Sequence, residues 1–329
     1  MLRSPSVRRA PASRILVAAV GVAAVGLVVA CAPHIPPPMP GPQLPTKVPA
    51  STGLKICRVP LATGELPRAL VVAHGALHEK VPSTLSGLLI VHPGGSYLLD
   101  GGISVDWRAA LDELKGPLRF FMKRSAKGFV VQATPAEGLH KLGVEPASLK
   151  GGLLSHGHYD HLGGLVDLPE LPIFAPAAEL AEADRAVAGE PSAILPREAR
   201  ALAARGHTLL FEGPPLGPYP ASHDLYGDGS VLLVPMPGHS PGSMGTFLRL
   251  PGGDRVFHVG DTVWVREGYE QREPKSAIAA AFDADPVATD AQIQKLWAIH
   301  EADPGLTILP AHDSRQWDAL FAGKDCIGG

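Results

Sequence analysis

The sequence predicts a mixed α/β fold, and three observations lead there. Short apolar runs of strand length (residues 87–91, 97–99, 231–235, 244–250 and 256–259) alternate with stretches of helical spacing. Glycine and proline number 37 and 34 in 329 residues, which points to many turns and away from a helical bundle. Apolar residues make up 45% of the chain and charged residues 19%, enough to bury a core and too apolar for a disordered protein.

The first thirty residues stand apart from that fold. Arg3, Arg8, Arg9 and Arg14 form a basic start, and residues 15–30 are an uncharged run of 16. A spanning helix needs about 20 apolar residues, so the run fits the core of a signal peptide better. It ends Val28-Val29-Ala30-Cys31, which resembles the lipobox of bacterial lipoproteins. That resemblance implies cleavage before Cys31, lipidation of its thiol, and a membrane-anchored lipoprotein of the cell envelope facing the periplasm or the exterior. Eight of the residues 31–50 are prolines, which favour extended polyproline II and cannot build a core. The expected organisation is a signal peptide at 1–30, a proline-rich tether at 31–52 and one globular domain at 53–329.

Lysine and arginine total 29 against 32 acids; without the four leader arginines the balance is 25 against 32. A phosphate-backbone binder carries the opposite bias, so no nucleic-acid partner is expected; the small-molecule substrate that is expected rests on the candidate chemistry of the domain. Cys57 and Cys326 remain after Cys31. In an oxidising compartment they are compatible with one disulfide, or with two free thiols. Neither has the spacing of a zinc knuckle.

Within the domain, residues 86–100 read as a hairpin with His92-Pro93-Gly94-Gly95-Ser96 at its tip. Residues 106–115 read as a helix, with Trp107, Ala110, Leu111 and Leu114 on one face. The apolar stretch from Arg119 through Phe129 reads either as a lid over an apolar group or as a core hairpin. Residues 151–155 form a short strand running into a histidine cluster. Residues 176–206 read as helices broken at Pro191 and Pro196, and 290–300 as a helix with Ile293, Leu296, Trp297 and His300 together. There is no internal repeat and no glycine-rich phosphate loop.

Candidate chemistry concentrates in Ser155-His156-Gly157-His158-Tyr159-Asp160-His161-Leu162-Gly163-Gly164. Three imidazoles and a carboxylate within six residues suit Zn²⁺, which takes neutral imidazole nitrogen and carboxylate oxygen. The i, i+2 histidines can point into one site from an extended turn, while Asp160 and His161 follow on the next turn toward a second. The two glycines after them allow close backbone packing. Ser155 and Ser240 read as turn residues. Further ligand types stand singly at strand ends: His239 in Pro237-Gly238-His239, Asp261 in Val259-Gly260-Asp261, and His312 in Pro310-Ala311-His312.

Taken together these motifs resemble the metallo-β-lactamase superfamily over nearly all of residues 53–315. Asp100 matches its first motif, residues 156–161 its second, His239 its third, Asp261 its fourth and His312 its fifth. The resemblance implies an αββα four-layer sandwich with two metals at one edge of the sheets, two Zn²⁺ with iron or manganese as alternatives. It implies that His156, His158 and His239 hold one metal, that Asp160, His161 and His312 hold the other, and that Asp261 bridges both, with Asp100 as a support behind the ligands. A water bridging two Zn²⁺ loses a proton near neutral pH and becomes the nucleophile. Asp160 would orient it and return a proton.

The branch is narrowed by what surrounds those motifs. An aspartate in the bridging place disfavours the true β-lactamases. Only 17 residues follow His312, which disfavours the glutathione thioester hydrolases, and no long insertion before His312 disfavours the nucleases. Asp224-Leu225-Tyr226-Gly227-Asp228-Gly229-Ser230, leading to His239, resembles the acyl-homoserine lactonase branch, whose relatives include phosphotriester hydrolases. Many of those lactonases carry a substrate-binding tyrosine where this chain has Trp264, so Tyr159, Trp264 and Tyr269 are the candidate substrate contacts. The expected activity is hydrolysis of a lactone or small ester. Phosphotriester or β-lactam hydrolysis, an iron-dependent relative, and a surface lipoprotein that only binds metal are the alternatives.

Overall fold

The computed structural model describes residues 53–113, 119–120, 123 and 128–329. The expected signal peptide, Cys31 and the tether lie outside the described residues, as do Leu114, Phe121 and Met122.

Thirteen strands form two sheets among the described residues: β1 (Lys55–Pro67), β2 (Lys80–Val91), β3 (Tyr97–Leu99), β4 (Phe129–Val131), β5 (Gly151–Leu153), β6 (Ile173–Pro176), β7 (Gly206–Leu209), β8 (His223–Asp224), β9 (Val231–Pro235), β10 (Met244–Arg249), β11 (Arg255–His258), β12 (Leu306–Leu309) and β13 (Cys326–Gly328). The first sheet runs β13-β1-β2-β3-β5-β6-β7, with β4 on β1, and the second runs β12-β11-β10-β9-β8. Strands β3, β5, β6 and β7 are parallel, while β1, β2 and β3 are antiparallel neighbours.

Side-chain alternation assigns the layers. Successive residues of a strand point to opposite faces. Leu88, Ile90, Leu99 and Leu153 of the first sheet share a core with Val231, Leu233, Leu248 and Val256 of the second, so this cluster fills the space between the sheets. Leu89 and Leu98 point the other way, onto Leu162, Leu165 and Leu202 of the helices Tyr159–Val166 and Pro196–Arg205. Leu232, Val234 and Phe257 point out from the second sheet onto Ile293, Leu296 and Ile299 of the helix Pro286–Ala302. Helices on sheet on sheet on helices is the expected αββα order.

Several boundaries differ from the sequence expectations. The helix expected at 106–115 spans Trp107–Asp112, and the one expected from residue 290 begins at Pro286, with Asp285 capping Ala288 N–H. Strand β2 begins six residues before the expected hairpin, and its long partner β1 carries no clear strand period in the sequence. Phe129 belongs to β4, paired with Gly64 of β1, which favours the hairpin reading for that end of the stretch. A helix at Pro135–Lys141 starts with a full capping box between Thr134 and Glu137.

Cys57 and Cys326 sit opposite each other across the β1–β13 pair and form a disulfide. It joins the first strand of the domain to the last. No helix among the described residues is long and apolar enough to cross a membrane.

Candidate metal centre

Four of the anticipated ligands and the support Asp100 lie just past strands, while His158 caps the helix Tyr159–Val166 and Asp160 and His161 sit in its first turn. Asp100 follows β3, His156 follows β5, His239 follows β9, Asp261 follows β11 and His312 follows β12. Links between the two sheets draw these ends together. Met244 N–H donates to Ser155 O at 2.9 Å, and Thr84 N–H donates to His312 O at 3.1 Å. Parallel β11 and β12 continue into the loops of Asp261 and His312, where Ala311 N–H donates to Gly260 O at 3.1 Å.

The expected close packing after the histidine cluster is present. A Cβ on Gly164 would lie 1.8 Å from Gly101 O, and one on Gly163 would lie 2.7 Å from Ser104 N. The helix Tyr159–Val166 therefore presses directly on the loop after Asp100, and Gly101 N–H donates to His161 O at 2.7 Å. Asp100 itself has φ +57°, a left-handed conformation that side chains rarely adopt. Its carboxylate accepts Ser155 N–H at 2.8 Å and Ser155 Oγ–H at 2.7 Å, and lies 2.9 Å from His161 Nδ1.

Three donor groups are formed among the described residues: His156 with His158 and His239, His156 with His161 and Asp261, and Asp160 with His161 and His312, each with ligand atoms within 4.8 Å of one another. All but Asp160 are buried. Asp261 Oδ1 is 3.3 Å from His161 Nε2, and its Oδ2 is 3.0 Å from His312 Nε2 and 3.6 Å from His239 Nε2. Nε2 of His156, His158, His161 and His239 and Oδ1 of Asp261 are buried and find no hydrogen-bond partner among the described residues. Unpaired buried polar atoms cost free energy, and here five of them converge. Cations held by these donor groups would account for all five, so the donor set fits metal binding.

The outer ring nitrogens explain why the inner ones face the cavity. Nδ1 of His156 is 3.1 Å from Ser155 Oγ, that of His161 is 2.9 Å from Asp100, that of His239 is 2.6 Å from Asp283 Oδ1, and that of His312 is 3.1 Å from Thr84 O. A hydrogen bond at Nδ1 fixes the tautomer and turns the Nε2 lone pair inward. Burial and the neighbouring imidazoles push His156 well below its ordinary range, and burial with His239 brings His158 down to about 3. Burial and the Lys275 ammonium likewise depress His239. These three rings are neutral, the form that binds a metal. Burial alone would lower His161 and His312, yet Asp261 beside them draws both above the ordinary value. Asp261 is drawn well below its own, because His312 and His161 outweigh its burial.

The candidate substrate contacts separate. Trp264 lies 6.1 Å from the His312 ring, edge to face, and its buried indole N–H has no hydrogen-bond partner among the described residues. Tyr159, like Phe129 and Phe282, packs against the hydrophobic cluster of Leu85, Ile103 and Trp107, and burial together with Asp160 and Asp261 holds its phenol protonated. The structure does not bring Tyr269 to the site. It sits in the core outside the second sheet, where its hydroxyl donates to Ile308 O at 3.4 Å and accepts Gln316 Nε2–H at 2.6 Å. Its place near Trp264 in the sequence was misleading, because the short helix Glu267–Glu270 turns its ring inward.

Other residues of the site carried no motif. Ser155 and Ser240 do more than turn the chain, since each hydroxyl bonds a buried carboxylate, Asp100 and Glu179 respectively. Asp283 and Lys275 back His239, and Glu179 spans two ligand loops. No local spacing marks these residues, because their partners lie far away in sequence.

The layer order and this donor set define a metallo-hydrolase scaffold. The family model described as Metallo-beta-lactamase superfamily matches residues 83–312, and the chain belongs to that superfamily. Among its relatives is N-acyl homoserine lactonase AttM of Azorhizobium caulinodans, 24% identical over 240 residues, 70% of this chain and 82% of that protein. The protein named Probable metallo-hydrolase Rv2300c in Mycobacterium tuberculosis is 29% identical over 239 residues, 69% of this chain and 73% of that one. A solved N-acyl homoserine lactone hydrolase, with the product N-hexanoyl-L-homoserine at its catalytic metal center, superposes with a TM-score of 0.61 at 20% identity, covering 82% of this chain and 97% of its own. AidC, a dizinc quorum-quenching lactonase, gives 0.54 at 16% identity, covering 83% and 92%. At these identities the solved structures show the shared fold.

Proposed function

We propose that this protein is a dinuclear zinc hydrolase of a lactone or small ester, held at the cell envelope by a lipid on Cys31. One observation carries the reading of two metals. Asp261 reaches both outer donor groups, with His239 on one side and His161 and His312 on the other, all within 3.6 Å of its oxygens. His156, His158 and His239 would hold one cation, Asp160, His161 and His312 the other, and Asp261 both. Bound zinc supplies a water-derived nucleophile at neutral pH and polarises a carbonyl.

The chain's own groups supply the rest. Asp160, the most exposed of the donors, is placed to hold a proton at the mouth of the site and return it to a leaving oxygen. The Trp264 indole N–H can donate to a substrate oxygen, but it cannot act as an acid. Trp264, Phe282 and Tyr159 offer an apolar wall for the organic part of the substrate. The lactonase names among the relatives support the substrate class, and the leader sequence and the Cys57–Cys326 disulfide support an exported protein.

The test is a panel of lactones, aryl esters, phosphotriesters and β-lactams, with metal content measured on the same preparation. Preferred turnover of a lactone or ester, lost on chelation and regained with Zn²⁺, is expected. Preference for a phosphotriester or β-lactam overturns the substrate class. Two bound metals with no turnover on any member leave a metal-binding surface protein. Unchanged mature mass and membrane partition in Cys31→Ser overturn the anchor.

A further inference from the structure

We propose that Glu179 is a positioning residue that clamps the loop of His156 and His158 to the loop of His239, so that the three rings meet at one point. Glu179 lies in the first turn of the helix Ala177–Val187, immediately after β6, and is fully buried. One carboxylate oxygen accepts Gly157 N–H at 2.6 Å, the amide between the two histidines. The other accepts Gly242 N–H at 2.9 Å and Ser240 Oγ–H at 2.7 Å, just past His239. These loops leave different sheets, β5 in the first and β9 in the second. One side chain therefore ties together two ligand loops that belong to separate layers.

The loops are shaped to receive it. A Cβ on Gly157 would lie 2.7 Å from Glu179 Oε1, and one on Gly242 would lie 2.7 Å from Oε2 and 2.5 Å from Glu179 N. Any larger residue at either place would push the carboxylate off its amide. Stability alone does not call for a carboxylate here. Among the described residues no lysine, arginine or histidine pairs with Glu179, and burying an ionisable group held only by amides and a hydroxyl carries a desolvation cost. What the group adds is a fixed distance between two loops. It accepts three hydrogen bonds with two oxygens, which no neutral side chain of that length can do. In Glu179→Gln the amide NH₂ must face either Gly157 N–H or Gly242 N–H, donor against donor, and one loop is released.

The proposal rests on the reading of His156, His158 and His239 as ligands of one cation, and the experiment separates the two. Metal-free protein is titrated with Zn²⁺ and Co²⁺ against a competing chelator, and amide hydrogen exchange is followed at Gly157 and Gly242. Glu179→Gln should speed exchange at one or both amides, lower affinity for a cation by about 10–100-fold and alter the visible spectrum of the Co²⁺ form. The unfolding midpoint of the metal-free form should move little. Ser240→Ala, which removes one of the three bonds, should give a smaller loss in the same direction and guards against misfolding of the first variant. His158→Ala should lose the cation while keeping both amides protected. Wild-type affinity, spectrum and amide protection in a folded Glu179→Gln overturn the clamp and leave the metal reading intact. A wild type that binds no metal, with amide protection that still depends on Glu179, overturns the metal reading instead and reduces Glu179 to a loop tie.

Discussion

Asp283 lies 2.6 Å from Nδ1 of His239, whose N–H donates to it, while the same carboxylate oxygen accepts a hydrogen bond from the Lys275 ammonium at 2.6 Å. The carboxylate stands there because its loop folds back on the histidine's own backbone: Ala284 N–H donates to His239 O at 3.0 Å and Asp285 N–H to Gly238 O at 2.9 Å. Lys275 is held from the other side by the tip between β1 and β2, where Ala73 N–H donates to Pro274 O at 2.9 Å and Ser276 N–H to Val71 O at 3.0 Å. A carboxylate behind a metal-binding imidazole fixes its tautomer and raises its basicity.

Asp283→Ala should therefore lower metal affinity about 10–100-fold, the usual cost of losing such a partner. Lys275→Met should act differently. It leaves Asp283 charged, buried and without its cation, which costs about 3–5 kcal/mol of stability. The double variant Asp283→Asn with Lys275→Met should recover much of that loss while staying weak in metal. Chelator competition and urea unfolding on the three proteins check both halves. Equal stability of Lys275→Met and wild type would remove the ion pair from the argument.

Asp261→Asn tests the second metal. The amide keeps the shape but loses the charge that His161 and His312 now face at 3.3 and 3.0 Å. Two cations sharing a site repel, and a bridging carboxylate offsets that repulsion. Metal content should fall from about two equivalents toward one, and turnover should fall by orders of magnitude. Circular dichroism should be unchanged, since the strands that make the sandwich do not depend on this side chain. Two retained metals at near-native rate would show that Asp261 is not the bridge.

Those two predictions differ in how they could have been found. Asp261 was legible in the sequence because it ends an apolar run and fits an ordered series of motifs. Asp283 was not, because it lies on an irregular loop 44 residues from the histidine it supports. The same holds across the molecule. The strands β9, β10 and β11 were visible as apolar runs, and the histidine cluster as a spacing pattern. Strand β1 was hidden by its polar and proline positions, Arg58, Pro60, Thr63 and Glu65, which weaken any period of two. Tyr269 reads as a replacement for the substrate-binding tyrosine whose place Trp264 holds, but a single helical turn aims it into the core. Local chemistry was readable, and three-dimensional partnership was not.

Glu198 predicts an unusual pH dependence of stability. It is buried in the first turn of the helix Pro196–Arg205, and its Oε2 has no hydrogen-bond partner among the described residues. Burial pushes its carboxyl from the ordinary 4.5 up to about 7, with the Arg197 guanidinium at 3.8 Å only partly opposing. The folded state thus holds a proton that the unfolded chain releases at lower pH. Its contribution is complete below about pH 4.5 and is lost as the pH rises through about 7. The difference corresponds to about 3 kcal/mol. Glu198→Gln should match wild type near pH 4.5 and exceed it by about 2–3 kcal/mol at pH 8. Urea unfolding at several pH values reads this directly, and parallel curves for the two proteins would exclude it.

Trp264 offers a prediction in which stability and activity move in opposite directions. Its indole N–H is buried beside His312 with no acceptor among the described residues, which costs the folded protein about 1–3 kcal/mol. Trp264→Phe keeps an apolar ring against Phe282 and removes that unpaired donor, so the free protein should be no less stable and its metal content should not change. If the N–H serves a substrate oxygen on which charge develops, kcat should fall about 10–100-fold with KM nearly constant, because the lost bond strengthens in the transition state. Trp264→Tyr returns a donor, though from a shorter ring, and should recover part of the rate. Steady-state kinetics on the best substrate of the panel, beside metal analysis and thermal unfolding, separates the readings. A Trp264→Phe variant with unchanged kcat and lower stability would make the indole a packing residue, and the oxygen donor would then have to be sought at Tyr159.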